Sequence, residues 1–186
     1  MISAPVRSPR VSLVLVRGAG DAAYQHWRRA VHGVRLASSE PGIPDPPTDL
    51  SGTAIVWRLE SPNRRLMAWS AQHFATIGRA HDDARRSIAA VDELRTELVS
   101  GDAGHGWRLL AGAEPIAVSG RWYANARDRD RAVRVVLAAL RSGAEAILAP
   151  PPFDMATGRW TEGAGKRVWL EQVLQEVGSV PLADRD

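Results

Sequence analysis

The side chains able to do chemistry in this chain are arginine, histidine, aspartate and serine. Cysteine is absent, which excludes thiolate catalysis, disulfides and Cys-ligated zinc. His81-Asp82-Asp83 resembles the His-Asp pairs of metal-dependent phosphohydrolases, but no further spaced His and Asp ligands accompany it. It reads instead as the acidic start of a helix. His26, His32, His73 and His105 form neither a His-x3-His nor a His-Glu-x2-His pattern, so no metal site is expected. Gly163-Ala164-Gly165-Lys166-Arg167 imitates a phosphate loop. Trp160 stands where its first Gly belongs, however, and no Ser or Thr follows Lys166. Ser39, Ser70 and Ser119 recur without a Gly-x-Ser-x-Gly elbow, so they read as hairpin positions and not as nucleophiles. With no catalytic constellation, the expectation is a non-catalytic protein that needs no cofactor.

What remains is arginine beside tryptophan. All 24 basic residues are arginine except Lys166. Trp27-Arg28, Trp57-Arg58 and Trp107-Arg108 are each followed, nine residues after the Trp, by Leu36, Leu66 or Ile116, and then by Ser39, Ser70 or Ser119. On an alternating strand each Arg faces away from its Trp. With Trp inward, Arg28, Arg58 and Arg108 line the outer face of a sheet, where Trp69 and Trp122 join them as stacking partners. Arginine and aromatics on a sheet form a surface that nucleic acid can use. The plainer reading is of solvated arginines paired with neighbours such as Glu60. It is favoured because the helical stretches also intersperse Arg with Asp and Glu.

The elements that must position these residues follow from periodicity. Val11 to Val16 is a short β-branched strand closed by Gly18-Ala19-Gly20. Residues 21–33 admit a helix capped by Asp21 or two strands joined at Val31-His32-Gly33, and the recurrence favours the strands. The stretch 41–52 is a Pro/Gly-rich linker. Ile55, Trp57 and Leu59 alternate with Val56, Arg58 and Glu60, the period of a strand with one face buried; Ser61-Pro62-Asn63 turns, and Leu66 to Ser70 returns. Ala84, Ile88, Val91, Leu94 and Leu98 then mark a helix over about 80–98, followed by Gly101. A second hairpin, 107–110 with 116–119, precedes a helix over about 128–141 closed by Gly143.

The run Trp-Arg-Leu, a short turn, Leu or Ile, Ala, Ser, then an aromatic (Phe74, Tyr123) and a helix resembles the YegP-like bacterial domain family. Its usual pattern is Phe-Arg-Leu-Lys-Ala-Ala-Asn-Gly-Glu-Val-Ile-Ala-x-Ser followed by Tyr and a helix. The resemblance covers roughly residues 11–141 and implies tandem copies of a hairpin-plus-helix unit with no established activity. It departs in the first copy, where Arg29 stands in place of Leu59 and Leu109 and the linker replaces the helix, and in the second and third, which lack a clear leading strand.

The expected fold is therefore α+β, tandem ββ(β)α repeats with antiparallel sheets packed against amphipathic helices. The expected divisions are a flexible basic tail (1–10), a degenerate first repeat and linker (11–47), a second repeat (53–100), a third (104–143) and a C-terminal extension (144–186). That extension carries a short helix with Leu170, Val173, Leu174 and Val177 at helical spacing. A chain of 186 residues, 45% hydrophobic and 24% charged, can bury a substantial core. The high pI of 10.1 reflects late-titrating arginine, since the net charge is only +3. No apolar run is long enough to cross a bilayer, so a cytoplasmic protein without membrane attachment is expected. The partner is then another protein chain or a second copy of this one, with nucleic acid as the alternative.

Overall fold

A computed structural model describes residues 9–38, 43–48, 53–142, 145–147, 153–154 and 159–160. The elements run β1 (Arg10–Arg17), α1 (Ala22–Ala37), β2 (Thr53–Glu60), β3 (Leu66–Ser70), α2 (Ile77–Ala89), β4 (Arg95–Gly101), β5 (Gly104–Ala111), β6 (Glu114–Ser119), α3 (Ala126–Arg141), β7 (Glu145–Ile147), β8 (Phe153–Asp154) and β9 (Arg159–Trp160). Six strands form one antiparallel sheet in the order β4-β5-β6-β3-β2-β1, and β7 adds in parallel outside β1. The fold class is α+β, as the mixed periodicities predict.

The alternation in β2 and β5 sends Trp57, Leu59, Trp107 and Leu109 to one face, where α2 and α3 cover them with Ala80, Ala84, Val133 and Val136. The opposite residues Val56, Val99, Val118 and Trp69 meet α1 through Tyr24, Trp27, Val31 and Val34. Both faces of the sheet are thus packed. Trp57, Trp107, Trp27 and Trp69 are all buried, and each such ring contributes on the order of several kcal/mol of apolar burial.

The expected hairpins are present. β2 and β3 pair through Leu59↔Ala68, with a bulge at Leu59/Glu60. β5 and β6 pair through Leu109↔Ala117, with a bulge at Leu109/Leu110. Ser70 Oγ accepts from the Trp57 amide at 3.2 Å, and Ser119 Oγ from the Trp107 amide at 3.4 Å. Phe74 and Tyr123 continue the ladders as bridges to Ile55 and His105. Ser70, Ser119, Phe74 and Tyr123 thus serve the hairpins.

Three expectations are corrected. Residues 21–33 are helical: Asp21 caps α1 by accepting from the Ala23 amide at 2.8 Å, and Tyr24, Trp27, Val31 and Val34 form one apolar stripe. Gly33 does not end this helix, which runs on to Ala37, and a Cβ at Gly33 would lie 2.9 Å from the Trp122 ring. Trp27 therefore does not stand where Trp57 and Trp107 stand.

The helix over 80–98 is instead α2, which starts earlier, after its Thr76 cap, and ends at Ala89 with Ala90 as its C-cap. Leu94 and Leu98 lie beyond it, Leu98 within the edge strand β4. β1 is the strand expected over Val11 to Val16, and it pairs along its whole length with β2 as β4 does with β5. The Asp82-Asp83 helix start is the third correction, since neither residue lies in the first turn of α2. The basic tail through residue 8, Ser39, the loop 163–167 and the helix proposed over 168–177 lie outside the described residues.

Candidate functional site

The alternation does turn Arg58 and Arg108 away from their tryptophans, but α1 occupies the face they reach. Arg108 is fully buried and donates to Glu97 at 2.6 and 2.9 Å. Trp69 is buried beneath α1. Trp122 is half-buried against Gly33 and Gly106. Arg28 sits on the helix itself, half-buried. Only Arg58 remains part of an open basic corner. Arg10 and Arg58 reach the buried Glu60 carboxylate at 3.0 Å each, and Arg64 reaches it at 3.7 Å. Ser12 Oγ donates to the same carboxylate at 3.1 Å. Three guanidinium groups about one carboxylate leave this corner positive. The five residues singled out by the motif are therefore not brought together.

The structure assembles a different basic site. After β3, the loop through Gln72 and His73 leads into α2, and with that helix it bounds a cleft of about 1000 Å³. Arg79, Asp82, Arg85 and Arg86 line it from the helix, and Ala54, Phe74 and Ala75 form its apolar wall. The His73 ring packs edge-on to Trp27 at 5.7 Å, and partial burial lowers its pKa, so the imidazole is neutral at neutral pH. Arg86 pairs with Asp83 at 3.2 Å. Arg79 and Arg85 make no ion pair with any described residue. The helix is oriented by its Thr76 cap, whose Oγ1 accepts from the Arg79 amide, and by burial of Ile77, Ala80 and Ala84.

On the other side of α2, Asp83 is buried, and its Oδ2 accepts from Trp57 Nε1 at 2.8 Å. Desolvation raises its pKa above the ordinary carboxylate range, against the opposing influence of the Trp57 hydrogen bond and Arg86. It borders a smaller cleft of about 410 Å³ with Ser87, Glu93 and Glu114. Among the described residues, no three His, Asp or Glu side chains converge as metal ligands.

Sequence reasoning missed both clefts. Their residues are separate in the chain and follow no motif. The available signal was Thr76 before Ile77 as a helix start, which would have put Arg79 in the first turn and Asp83 on the buried stripe. No helix among the described residues is long and apolar enough to cross a membrane. No protein-family model matches the chain, and no curated protein matches it either.

Proposed function

We propose that this chain is a non-catalytic interaction protein built from two copies of a strand-strand-strand-helix unit of the YegP-like kind, and that it pairs with a second copy of itself along β4. Support for the duplication comes from the paired features of β1-β2-β3-α2 and β4-β5-β6-α3. These are the Trp57 and Trp107 anchors, the Ser70 and Ser119 acceptors, the bulges after Leu59 and Leu109, and the Phe74 and Tyr123 bridges. In this reading α1 and its flanking loops are an insertion between the first two strands of the first copy. The recurring residues all serve the fold, so binding falls to positions outside the motif.

The observation that carries the interaction reading is the edge of β4, on which no strand pairs among the described residues. This seven-residue strand ends the sheet order, pairs without a register break to β5, and contains no proline or bulge to blunt it. His105 exchanges both of its backbone hydrogen bonds with Tyr123, so its β4 partner Ser100 turns its own N–H and C=O outward. By alternation Leu98 and Thr96 do the same. Two copies related by a two-fold axis at Leu98 would pair Thr96 with Ser100 and bring the half-exposed Leu98 side chains together. Arg95 then faces Gly101 and Glu97 faces Val99, so no like charges oppose. An interface this narrow is weak, on the order of micromolar or poorer. Light scattering across a concentration series tests it. Association that is lost in Leu98→Lys supports the reading, and a strict monomer near millimolar concentration removes it.

A second reading, a nucleic-acid-binding module, draws on the Arg10-Arg58-Arg64 corner, since Trp69 and Arg108 are buried. Neutralising several phosphates gives an affinity that falls steeply with salt. A mobility-shift titration with mixed DNA and RNA at two salt concentrations decides it; no shift at low salt excludes this use.

A further inference from the structure

We propose that the cleft between the His73 loop and α2 binds a phosphorylated small molecule. The cleft is lined by Arg79, Arg85 and Arg86 against a single carboxylate, Asp82. Arg86 is already partly neutralised by Asp83, whereas Arg79 and Arg85 have no acidic partner among the described residues. Asp82 is itself turned toward His81, at 3.8 Å. Arg79, Arg85 and Arg86 are exposed and line one concavity, where their like charges repel, and an anion bound among them relieves that repulsion. Planar Arg forks match phosphoryl oxygens two at a time. His73 and Gln72 add neutral hydrogen-bonding groups to the lining.

Size sets the ligand class. A volume of about 1000 Å³ greatly exceeds a bare phosphate and falls at the upper end of small-molecule sites. The apolar wall of Ala54, Phe74 and Ala75 gives an organic body somewhere to rest. The corresponding place on α3 points the same way. Asp128 stands three residues after the Asn125 cap and exchanges hydrogen bonds with it at 2.9 and 3.0 Å, as an acid should in a first helical turn. Arg79 stands three residues after Thr76, where the helix field disfavours a cation, and it faces the cleft. None of these residues belongs to β4, so the proposal is independent of strand pairing.

The test is a two-dimensional amide NMR titration of the full chain with inorganic phosphate, pyrophosphate and, as the carboxylate arm, succinate. Saturable shifts are expected at residues 72–79 and 85–86, with pyrophosphate binding at least fivefold tighter than phosphate or succinate. The Arg79→Ala/Arg85→Ala pair should weaken pyrophosphate at least tenfold, while Arg29→Ala, on the exposed side of α1, should leave it unchanged. Arg79→Asp, which copies the arrangement on α3, should abolish binding and leave a well-dispersed, folded spectrum. Four results would overturn the proposal: no saturable shift at tens of millimolar, shifts centred on Arg10, Arg58 and Arg64, succinate binding as tightly as pyrophosphate, or unchanged affinity in the double variant.

Discussion

Asp83→Ala and Asp83→Asn separate what the buried carboxylate contributes as a hydrogen-bond acceptor from what it costs as a charge. The acceptor role is direct: Trp57 Nε1 donates to Oδ2 at 2.8 Å in a fully buried setting. Truncation to Ala leaves the indole N–H buried without a partner, which costs about 1 to 3 kcal/mol, and loses little at the exposed Arg86. Asn keeps an acceptor oxygen and removes the charge, so at neutral pH it should lose much less than Ala. The two differ also in pH dependence. Burial raises the Asp83 pKa above its unfolded value, so the native state holds this proton more tightly than the unfolded state does. Stability from this group is therefore highest below the unfolded pKa, falls as pH rises through the raised native pKa, and then levels. Urea unfolding followed by tryptophan fluorescence, at steps from acid to neutral pH, should show wild type losing stability relative to Asp83→Asn across that window. Parallel curves for the two proteins, or an Ala variant as stable as wild type, would refute the reasoning.

Trp57→Ala and Trp107→Ala should each destabilise by about 3 to 5 kcal/mol in the same urea assay, because both rings are buried against α2 and α3. Arg108→Ala should cost about 3 kcal/mol by stranding Glu97, whereas Arg58→Ala should cost about 1 kcal/mol or less, since Glu60 retains Arg10 and Ser12. Gly104→Ala should lower the thermal midpoint markedly in calorimetry. Its φ is +114°, and a Cβ there would lie 2.5 Å from the Tyr123 carbonyl oxygen, so the strain is of order 1 to 3 kcal/mol. Gly112→Ala, at φ +61° with open space around it, should cost about 1 to 2 kcal/mol.

Strands with an apolar alternation, and helices with an unbroken stripe, are readable from the sequence, although the alternation implies one buried face and the sheet is packed on both. Ile55-Trp57-Leu59 and the Val133-Val136-Leu140 stripe fall into the elements their periods predict. The edge strand was not readable. In β4 only Val99 is buried, so Arg95 to Ser100 carries no alternating apolar signature, and Leu94 and Leu98 fall at spacings that mimic a continued helix. No Gly or Pro marks the exit from α2; its end is held by backbone bonds, from the Ala90 amide to the Arg86 carbonyl and from Glu93 to Ala90. The recurrence of Trp-Arg drew residues 21–33 toward strands, yet the Asp21 cap and the Tyr24-Trp27-Val31-Val34 stripe were local signals of comparable strength. A fragment of a motif lost to a complete helical pattern with its own cap. The arginine face failed for a related reason, because alternation fixes which way a side chain turns but says nothing about what covers that side.

Under the proposed duplication, the positions at which the two units disagree carry more functional information than those at which they agree. Trp107 occupies its place with its indole nitrogen unpartnered, and the position corresponding to Asp83 is Ala132, so the anchoring role does not require a buried acid. His73 corresponds to Trp122, which fills the space against Gly33 and Gly106, and the smaller ring stands where the cleft opens. Arg79 corresponds to Asp128, which reverses the charge at the start of the helix. Folding alone would favour the α3 solution at two of these places, a filled gap and an acid in the first turn, whereas the unpartnered Trp107 indole nitrogen carries a cost that Asp83 removes at Trp57. All three exceptions fall on one helix and the loop that leads into it. Two of them, His73 and Arg79, line the larger cleft, whereas Asp83 borders the smaller one on the other side of α2.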